Sequence, residues 1–359
     1  MRQALDLAAR AVGLSEPNPR VGCVITTGDG RTVLGAGHTQ QAGGAHAEVA
    51  ALQDATSRGQ SVAGATAWVT LEPCSHHGRT PPCCDALVAA GVAKVVASVI
   101  DPNPLVAGKG LERLRAAGIE VETGLGEHES RELNIGFFSR MQRGRPWVRM
   151  KVAASLDGRT ALANGASQWI TGEAARADGH AWRARAGAVL TGIGTVLEDD
   201  PRLDVRHVAT PRQPAAVIVD SRLDTPVDAG MFIEGRPLWI YTAAPDHPRE
   251  AELGARGATV IALPGPGGKV DLASMLADLA SRGINELHVE AGQKLNGSFL
   301  REGLVDELLV YLAPRLLGPG RDMANLAPLQ DLAGALALEF TSVERVGTDL
   351  RVLARVMRP

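Results

Sequence analysis

Apolar residues recur at helical spacing at Ala4, Leu7, Ala8 and Val12, so Met1 to Val12 is predicted as a helix with one buried face, ended by Gly13. The rigid turn Glu16-Pro17-Asn18-Pro19 follows. The apolar run Val21 to Thr26 then predicts a strand, and Gly28-Asp29-Gly30 predicts a hairpin into a second strand from Thr32 to Gly37. Helices are predicted at His46 to Ala55, Cys83 to Ala90, Lys109 to Ala117 and Glu127 to Met141, with strands between them at Ala65 to Thr70, Val92 to Ile100 and Ile119 to Thr123. Strands alternating with helices imply an α/β sandwich with a mainly parallel sheet. The polar, basic stretch Gln142-Arg143-Gly144-Arg145-Pro146 reads as a connector and divides the chain into domains 1–144 and 145–359. Beyond it, Trp147 to Ala154 alternates as a strand. Glu286 to Val289 is a buried strand, and Gly292 to Ser298 is a turn leading into a helix at Gly297 to Glu302. The second half is thus a second α/β domain.

Composition narrows the possible classes. The 359 residues suffice for two domains of ordinary size, and 45% hydrophobic with 21% charged residues is the make-up of a soluble globular protein. A net charge of −3 provides no general attraction to nucleic acid or anionic lipid, and 3% aromatics is poor material for base-stacking platforms. No apolar run is long enough to span a bilayer, and the N-terminus lacks the apolar core of a signal peptide. Four cysteines in a chain this long make no disulfide framework. A reducing, cytoplasmic setting is therefore expected, with a small molecule as partner rather than nucleic acid or membrane, and with a homo-oligomer as the assembly.

The chemistry concentrates in His46-Ala47-Glu48 and Thr70-Leu71-Glu72-Pro73-Cys74, continued to Cys83. One imidazole and two thiols make three zinc ligands and leave a fourth tetrahedral position for water, whose pKa a metal lowers toward neutrality. Glu48 lies too close to His46 to be a comfortable fourth ligand and is free to carry protons. The pattern is the zinc deaminase signature H-x-E followed by P-C-x-x-C, in which the glutamate is the general acid/base. Here eight residues separate Cys74 from Cys83, and the insert is rich in donors and turn formers: Ser75, His76, His77, Gly78, Arg79, Thr80 and two prolines. A stiff loop of that kind can wrap a polar substrate. Cys23, inside an apolar run, reads as a buried hydrophobe. Cys84 competes with Cys83 for the metal, but adjacent helical residues point in different directions, and Cys83 is favoured. Asn18, held between two prolines, is either turn chemistry or an amide that reads a polar heterocycle.

With this spacing and insert, the first half resembles the deaminase half of the bifunctional riboflavin biosynthesis deaminase/reductase, the RibD family. In the second half no G-x-G-x-x-G follows a strand, so a Rossmann site is not supported. Gly192-Ile193-Gly194 and Gly265-Pro266-Gly267-Gly268 alone read as turns. The ordered motifs Lys151-x-Ala153-x-Ser155-Leu156-Asp157-Gly158-Arg159, Ser167-Gln168-Trp169-Ile170-Thr171, Gly192-x-Gly194-Thr195-Val196, Asp199-Asp200-Pro201-x-Leu203-x-x-Arg206 and Glu290-Ala291-Gly292 are similar to the reductase half of the same family. The resemblance covers essentially the whole chain. It implies a cytidine-deaminase-like α/β/α sandwich followed by a dihydrofolate-reductase-like α/β domain that uses NADPH. It implies that Asn18 lies in the deaminase pocket. It implies that Ala153, Trp169, Thr195, Asp199, Ser221 and the turn Gly292, Gln293, Lys294, Leu295, Asn296, Gly297 and Ser298 line the NADPH site. It implies further that Lys151, Ser167, Arg183, Leu203, Arg206 and Glu290 touch a pyrimidine ribosyl phosphate.

Read without the family, Arg183 is as well explained as a solvated helix arginine and Lys151 as a surface charge, whereas Glu290 ends a buried strand and needs a partner. Two other readings compete with the bifunctional enzyme. One is a nucleobase or RNA deaminase with a C-terminal binding module, which the acidic balance and scarce aromatics disfavour. The other keeps zinc as a structural staple with Cys84 as its fourth ligand.

Overall fold

Strands that alternate with amphipathic helices have to bury an apolar face on each side of a sheet, and the chain does so twice. The computed structural model describes residues 1–76, 81–104 and 106–357. It falls into two units, Met1–Arg145 and Pro146–Pro359, each with its own core.

The first unit runs α1 (Arg2–Ala9), β1 (Gly22–Thr26), β2 (Val33–His38), α2 (Ala47–Ser57), β3 (Thr66–Val69), α3 (Cys83–Ala89), β4 (Lys94–Ala97), α4 (Lys109–Ala116), β5 (Glu120–Thr123), α5 (Glu127–Leu133) and α6 (Ile135–Arg143). Its sheet has the order β2-β1-β3-β4-β5. β3, β4 and β5 are parallel, but β1 is antiparallel to both of its neighbours. The sheet is therefore mixed rather than mainly parallel, because a tight hairpin joins β1 to β2 and parallel neighbours need a long crossover. Every residue of β1 is buried, Cys23 included. The single helix expected from Glu127 to Met141 is interrupted at Asn134, which lies at φ −108°, ψ 19°. Its buried amide serves the Arg20 peptide instead: Oδ1 accepts from Arg20 N at 2.7 Å, and Nδ2 donates to Arg20 O at 2.9 Å.

The second unit runs β6 (Trp147–Ser155), β7 (Arg159–Leu162), α7 (Glu173–Arg185), β8 (Ala188–Gly192), α8 (Ile193–Asp199), β9 (Ala215–Val219), β10 (Leu238–Thr242), α9 (Arg249–Ala255), β11 (Ala258–Ala262), α10 (Leu272–Ser281), β12 (Glu286–Val289), α11 (Gln293–Arg301), β13 (Glu307–Ala313), β14 (Gly320–Asp322), β15 (Leu338–Val346) and β16 (Asp349–Val356). Its nine-stranded sheet has the order β11-β10-β9-β8-β12-β6-β13-β16-β15. The strands are parallel from β11 through β13 and antiparallel from there to β15. β6 shows why the two faces differ. Val148, Met150, Val152 and Ala154 enter the apolar core, while Arg149 on the alternate parity is buried among charges. Its guanidinium meets Glu307 at 2.5 Å and Glu286 at 2.8 Å and sits 4.5 Å above the Trp182 ring of α7. α11 begins at Gln293, capped by Gly292, four residues before the predicted start. Gly297, predicted as the first residue of this helix, lies in its middle, where a Cβ would stand 2.2 Å from the Asn325 carbonyl oxygen.

Candidate active sites

His46 ends the extended approach to α2 as its N-cap, and Cys83 opens α3, so two helix starts deliver two donors to one point. Cys74 arrives from the segment after β3. The His46 Nδ1 atom is 3.6 Å from Cys74 Sγ and 3.3 Å from Cys83 Sγ, and the three donor atoms lie within 4.8 Å of one another. A tetrahedron with zinc–ligand bonds of about 2.0–2.3 Å has edges of roughly 3.5 Å, so this donor set fits zinc. The Cys83 thiol donating to Cys74, together with the His46 imidazole beside it, draws the Cys74 thiol down to about 4, and Cys74 Sγ also accepts from Cys83 N at 3.3 Å. Cys84 points away into the apolar core and is not in the donor group.

Glu48 follows within the first turn of α2. It is 4% exposed, and burial raises its carboxyl to about 7. A cavity of about 400 Å³ opens in front of it, lined also by Asn18, His46, Cys74, His76, Asp101, Asn103 and Arg140. Of the insert, Ser75, His76, Pro81 and Pro82 are described; His77, Gly78, Arg79 and Thr80, to which a wrapping role was attached, lie outside the described residues.

Sequence reasoning missed Asp101 and Asn103, although Pro102-Asn103-Pro104 repeats the bracket of Pro17-Asn18-Pro19 and Asn103 lines the same cavity. Glu72 stands in the Cys74 motif, but sequence reasoning gave it no role. It is buried, and its carboxylate accepts from Asp101 N, Gly108 N, Gly110 N and Leu111 N at 2.8–3.3 Å. That clamps the start of α4 to the segment carrying Cys74. Gly110 completes the clamp, since a Cβ there would meet the Pro73 carbonyl oxygen at 2.0 Å.

In the second unit a cavity of about 860 Å³ opens at the carboxyl ends of β6, β8, β9 and β12, where open α/β sheets place their ligands. Of the predicted cofactor residues, Ala153, Thr195, Asp199, Ser221, Gly292, Gln293, Lys294, Leu295, Asn296 and Ser298 line it. Of the predicted substrate residues, Lys151, Ser167 and Glu290 do so, and Gly192 and Gly194, read as turn glycines, belong to the lining too. The start of α11 faces this space. A Cβ on Gly292 would meet nothing nearer than Thr195 Oγ1 at 3.9 Å, leaving room for an anion at the free N–H groups. With Lys151, Lys294 and Arg321 on the walls, the cavity suits an elongated polyanion such as a dinucleotide.

Five predicted residues stand off the lining. Trp169 is 61% exposed under the Arg176 guanidinium, and Gly297 is packed on Asn325. Leu203 is 4% exposed in an apolar cluster, at φ 48°. Arg206 pairs with Asp204 at 2.6 Å. Arg183 binds Glu290 through Nε and, at 3.0 Å, through Nη2, and it donates Nη1 to Asp204 O at 3.0 Å. Glu290 is the partner-seeking carboxylate that its place at the end of β12 predicted. Burial alone would raise its pKa, but Arg183 and then Lys151, at 3.4 Å, hold it well below the usual carboxylate range.

Taken together, these sites define a zinc deaminase unit followed by a separate α/β unit built around a polyanion cleft. Residues 1–99 match the cytidine and deoxycytidylate deaminase zinc-binding region, and residues 146–352 match the RibD C-terminal domain. The riboflavin biosynthesis protein RibD of Escherichia coli is 47% identical over 98% of this chain and 96% of its own length, and that of Aquifex aeolicus 40% over the same shares. Among solved structures, Acinetobacter baumannii RibD superposes with a TM-score of 0.90 at 43% identity, covering 99% of this chain and 98% of that one. A Thermotoga maritima diaminohydroxyphosphoribosylaminopyrimidine deaminase/5-amino-6-(5-phosphoribosylamino)uracil reductase superposes at 0.88 with 33% identity, over 99% and 97%. The chain belongs to the RibD family.

Proposed function

We propose that the unit Met1–Arg145 hydrolytically deaminates 2,5-diamino-6-ribosylamino-4(3H)-pyrimidinone 5′-phosphate, and that Pro146–Pro359 reduces the ribosyl chain of the product to ribityl with NADPH, two steps of riboflavin biosynthesis. The observation that carries the reading is the convergence of His46, Cys74 and Cys83 on one point of a cavity that also holds Glu48. A zinc ion held by that triad supplies Lewis acidity toward a water molecule. Glu48, kept protonatable by its burial, takes one proton from the attacking water and delivers it to the ring nitrogen, then takes the second from the new carbon-bound hydroxyl and delivers it to the amino group, so that the carbonyl forms as the C–N bond breaks and ammonia leaves. Asn18 and Asn103, each fixed between prolines, offer amides to the edge of the pyrimidine.

In the second cavity NADPH supplies the hydride. Glu290 stays anionic and orients the Lys151 ammonium, which is then the residue able to donate a proton to the opening sugar. Arg183 holds Glu290 in place. Leu203 and Arg206 belong to the loop that Arg183 fastens through Asp204 O, which is how the three bear on the substrate phosphate in this proposal.

Incubating the protein with the pyrimidine phosphate, with and without NADPH, tests both steps. Ammonia should be released in both mixtures, and cofactor should be oxidised only where it is present; absence of either sinks the corresponding half. The proposal includes a cytosolic enzyme, consistent with no described helix being long and apolar enough to cross a membrane. It includes pairing with a second copy, consistent with the open edge strand β15 and its exposed Phe340 and Val343, and sedimentation of the full chain tests that.

A further inference from the structure

The loop from Asp200 to Arg206, between α8 and β9, is held in a shape its own backbone disfavours. Asp200 and Leu203 lie at φ 40° and 48°, in the left-handed region where a Cβ is unwelcome. Non-glycine residues stay in such conformations only where their surroundings over-determine them, and such places cluster at ligand clamps. The surroundings here supply fastenings along the whole loop. Asp200 Oδ1 accepts from Gly230 N at 2.7 Å, and Arg236 donates Nη1 to Arg202 O at 2.8 Å. Gln213 bonds both sides of the Val205 backbone, accepting from its N–H at 2.7 Å and donating to its carbonyl at 2.8 Å.

α7 adds two more. His180 and Arg183 stand three residues apart and so share a face of this helix. Arg183 reaches Asp204 O, and two residues further along the loop His180 Nδ1 accepts from Arg206 N at 3.4 Å. A ring nitrogen accepts only without its proton, so His180 works as the neutral imidazole with its hydrogen on Nε2. Its setting keeps it so. The residue is buried, and its ring meets the His207 ring edge-on at 4.5 Å. Burial first, then the Arg183 and Arg206 charges, lower its pKa to about 4, which Glu290 only partly offsets. The loop stands one side chain from the second cavity, because Arg183 bonds Asp204 O at one end and the lining residue Glu290 at the other. Arg206, its side chain half exposed, meets Asp204 Oδ1 through Nη1 at 2.6 Å. Its direction is thus set twice, by that carboxylate and by the peptide that His180 holds.

We infer that His180 is a positioning residue for the reduction: through the Arg206 peptide it fixes where that guanidinium meets the substrate phosphate. It acts from behind the loop and is not part of the cavity lining. The inference rests on the reductase reading above, in which Arg206 bears on the phosphate, and adds the residue that places it.

Three variants of the full chain test it in NADPH oxidation on the deaminated substrate. His180→Leu keeps the bulk and loses the acceptor, His180→Ser is too short to reach Arg206 N, and His180→Gln returns an acceptor in amide form. His180→Leu and His180→Ser should raise KM for the deaminated substrate by about 10-fold, with kcat and KM for NADPH within about threefold of wild type, the pattern of lost ground-state binding. His180→Gln should bring the substrate KM back to within about threefold of wild type. Hydrogen exchange at the Arg206 amide should quicken in the first two variants and not in the third, and His180→Ser carries the test if His180→Leu does not fold. An unchanged substrate KM, a fall in kcat alone, an equal rise in both KM values, or a His180→Gln as impaired as His180→Leu overturns the assignment. If the wild type oxidises NADPH and the variants keep its KM, the positioning role fails and the reductase stands; if the wild type oxidises none, the reductase reading fails and the assignment falls with it.

Discussion

Replacing Cys83 by serine should remove zinc from the purified protein, whereas Cys84→Ser should leave about one zinc per chain, because one sulfur faces the donor group and the other the apolar core. Elemental analysis of both variants decides it, and zinc lost equally from both would bring Cys84 into the ligand set. Glu48→Gln keeps the donor triad and removes the carboxyl that moves protons, so metal content should hold while ammonia release falls by about 10²–10⁴-fold. At this scale the first site could be read in the sequence because its residues carry chemistry that few other patterns share: H-x-E, E-P-C and a second thiol. Asp101 and Glu72 were hidden for a physical reason. Each acts through a fold that joins distant segments, as when Glu72 collects backbone donors from residues 101 to 111. The second site has no such signature, and of its residues only Glu290 announced itself, as a charge at the end of a buried strand.

At the scale of elements, α4 and the Cys74 segment behave as one piece. Gly110→Ala would push α4 off the Pro73 carbonyl oxygen and disturb Cys74 next to it; zinc affinity should drop by about 10- to 100-fold with the three ligands intact, as measured by competition with a chromophoric chelator. An unchanged affinity would mean that the clamp does not reach the metal. β6 offers a second case. Arg149→Met leaves Glu307 in the interior without that cation and Glu286 with Arg185 at 2.7 Å, and should cost about 3–5 kcal/mol of unfolding free energy in urea titration. Periodicity located nearly every helix and strand of the first unit, since each carries its own apolar stripe. It failed at Asn134, which leaves its helix to serve Arg20, and in the second unit it began α11 four residues late, at Gly297, whose missing Cβ admits a neighbouring backbone.

For the molecule as a whole, acid should act selectively. His180 is buried beside Arg183 and Arg206, and burial first, then those charges, lower its pKa from 6.5 to about 4; burial also lowers His288. The unfolded chain takes up protons in that interval while the folded unit does not, so stability falls as pH drops from 6.5 toward 4. The urea midpoint of Pro146–Pro359 should therefore be lower at pH 5 than at pH 7, and His180→Gln should shrink the difference. Stripping zinc should stop ammonia release yet spare NADPH oxidation on a substrate already deaminated, an outcome that coupled assays read directly. Because each half closes its own sheet about its own core, damage in one need not spread to the other. Two lesions on opposite sides of Arg145, each fatal in its own polypeptide, should then complement when both polypeptides are made in one cell.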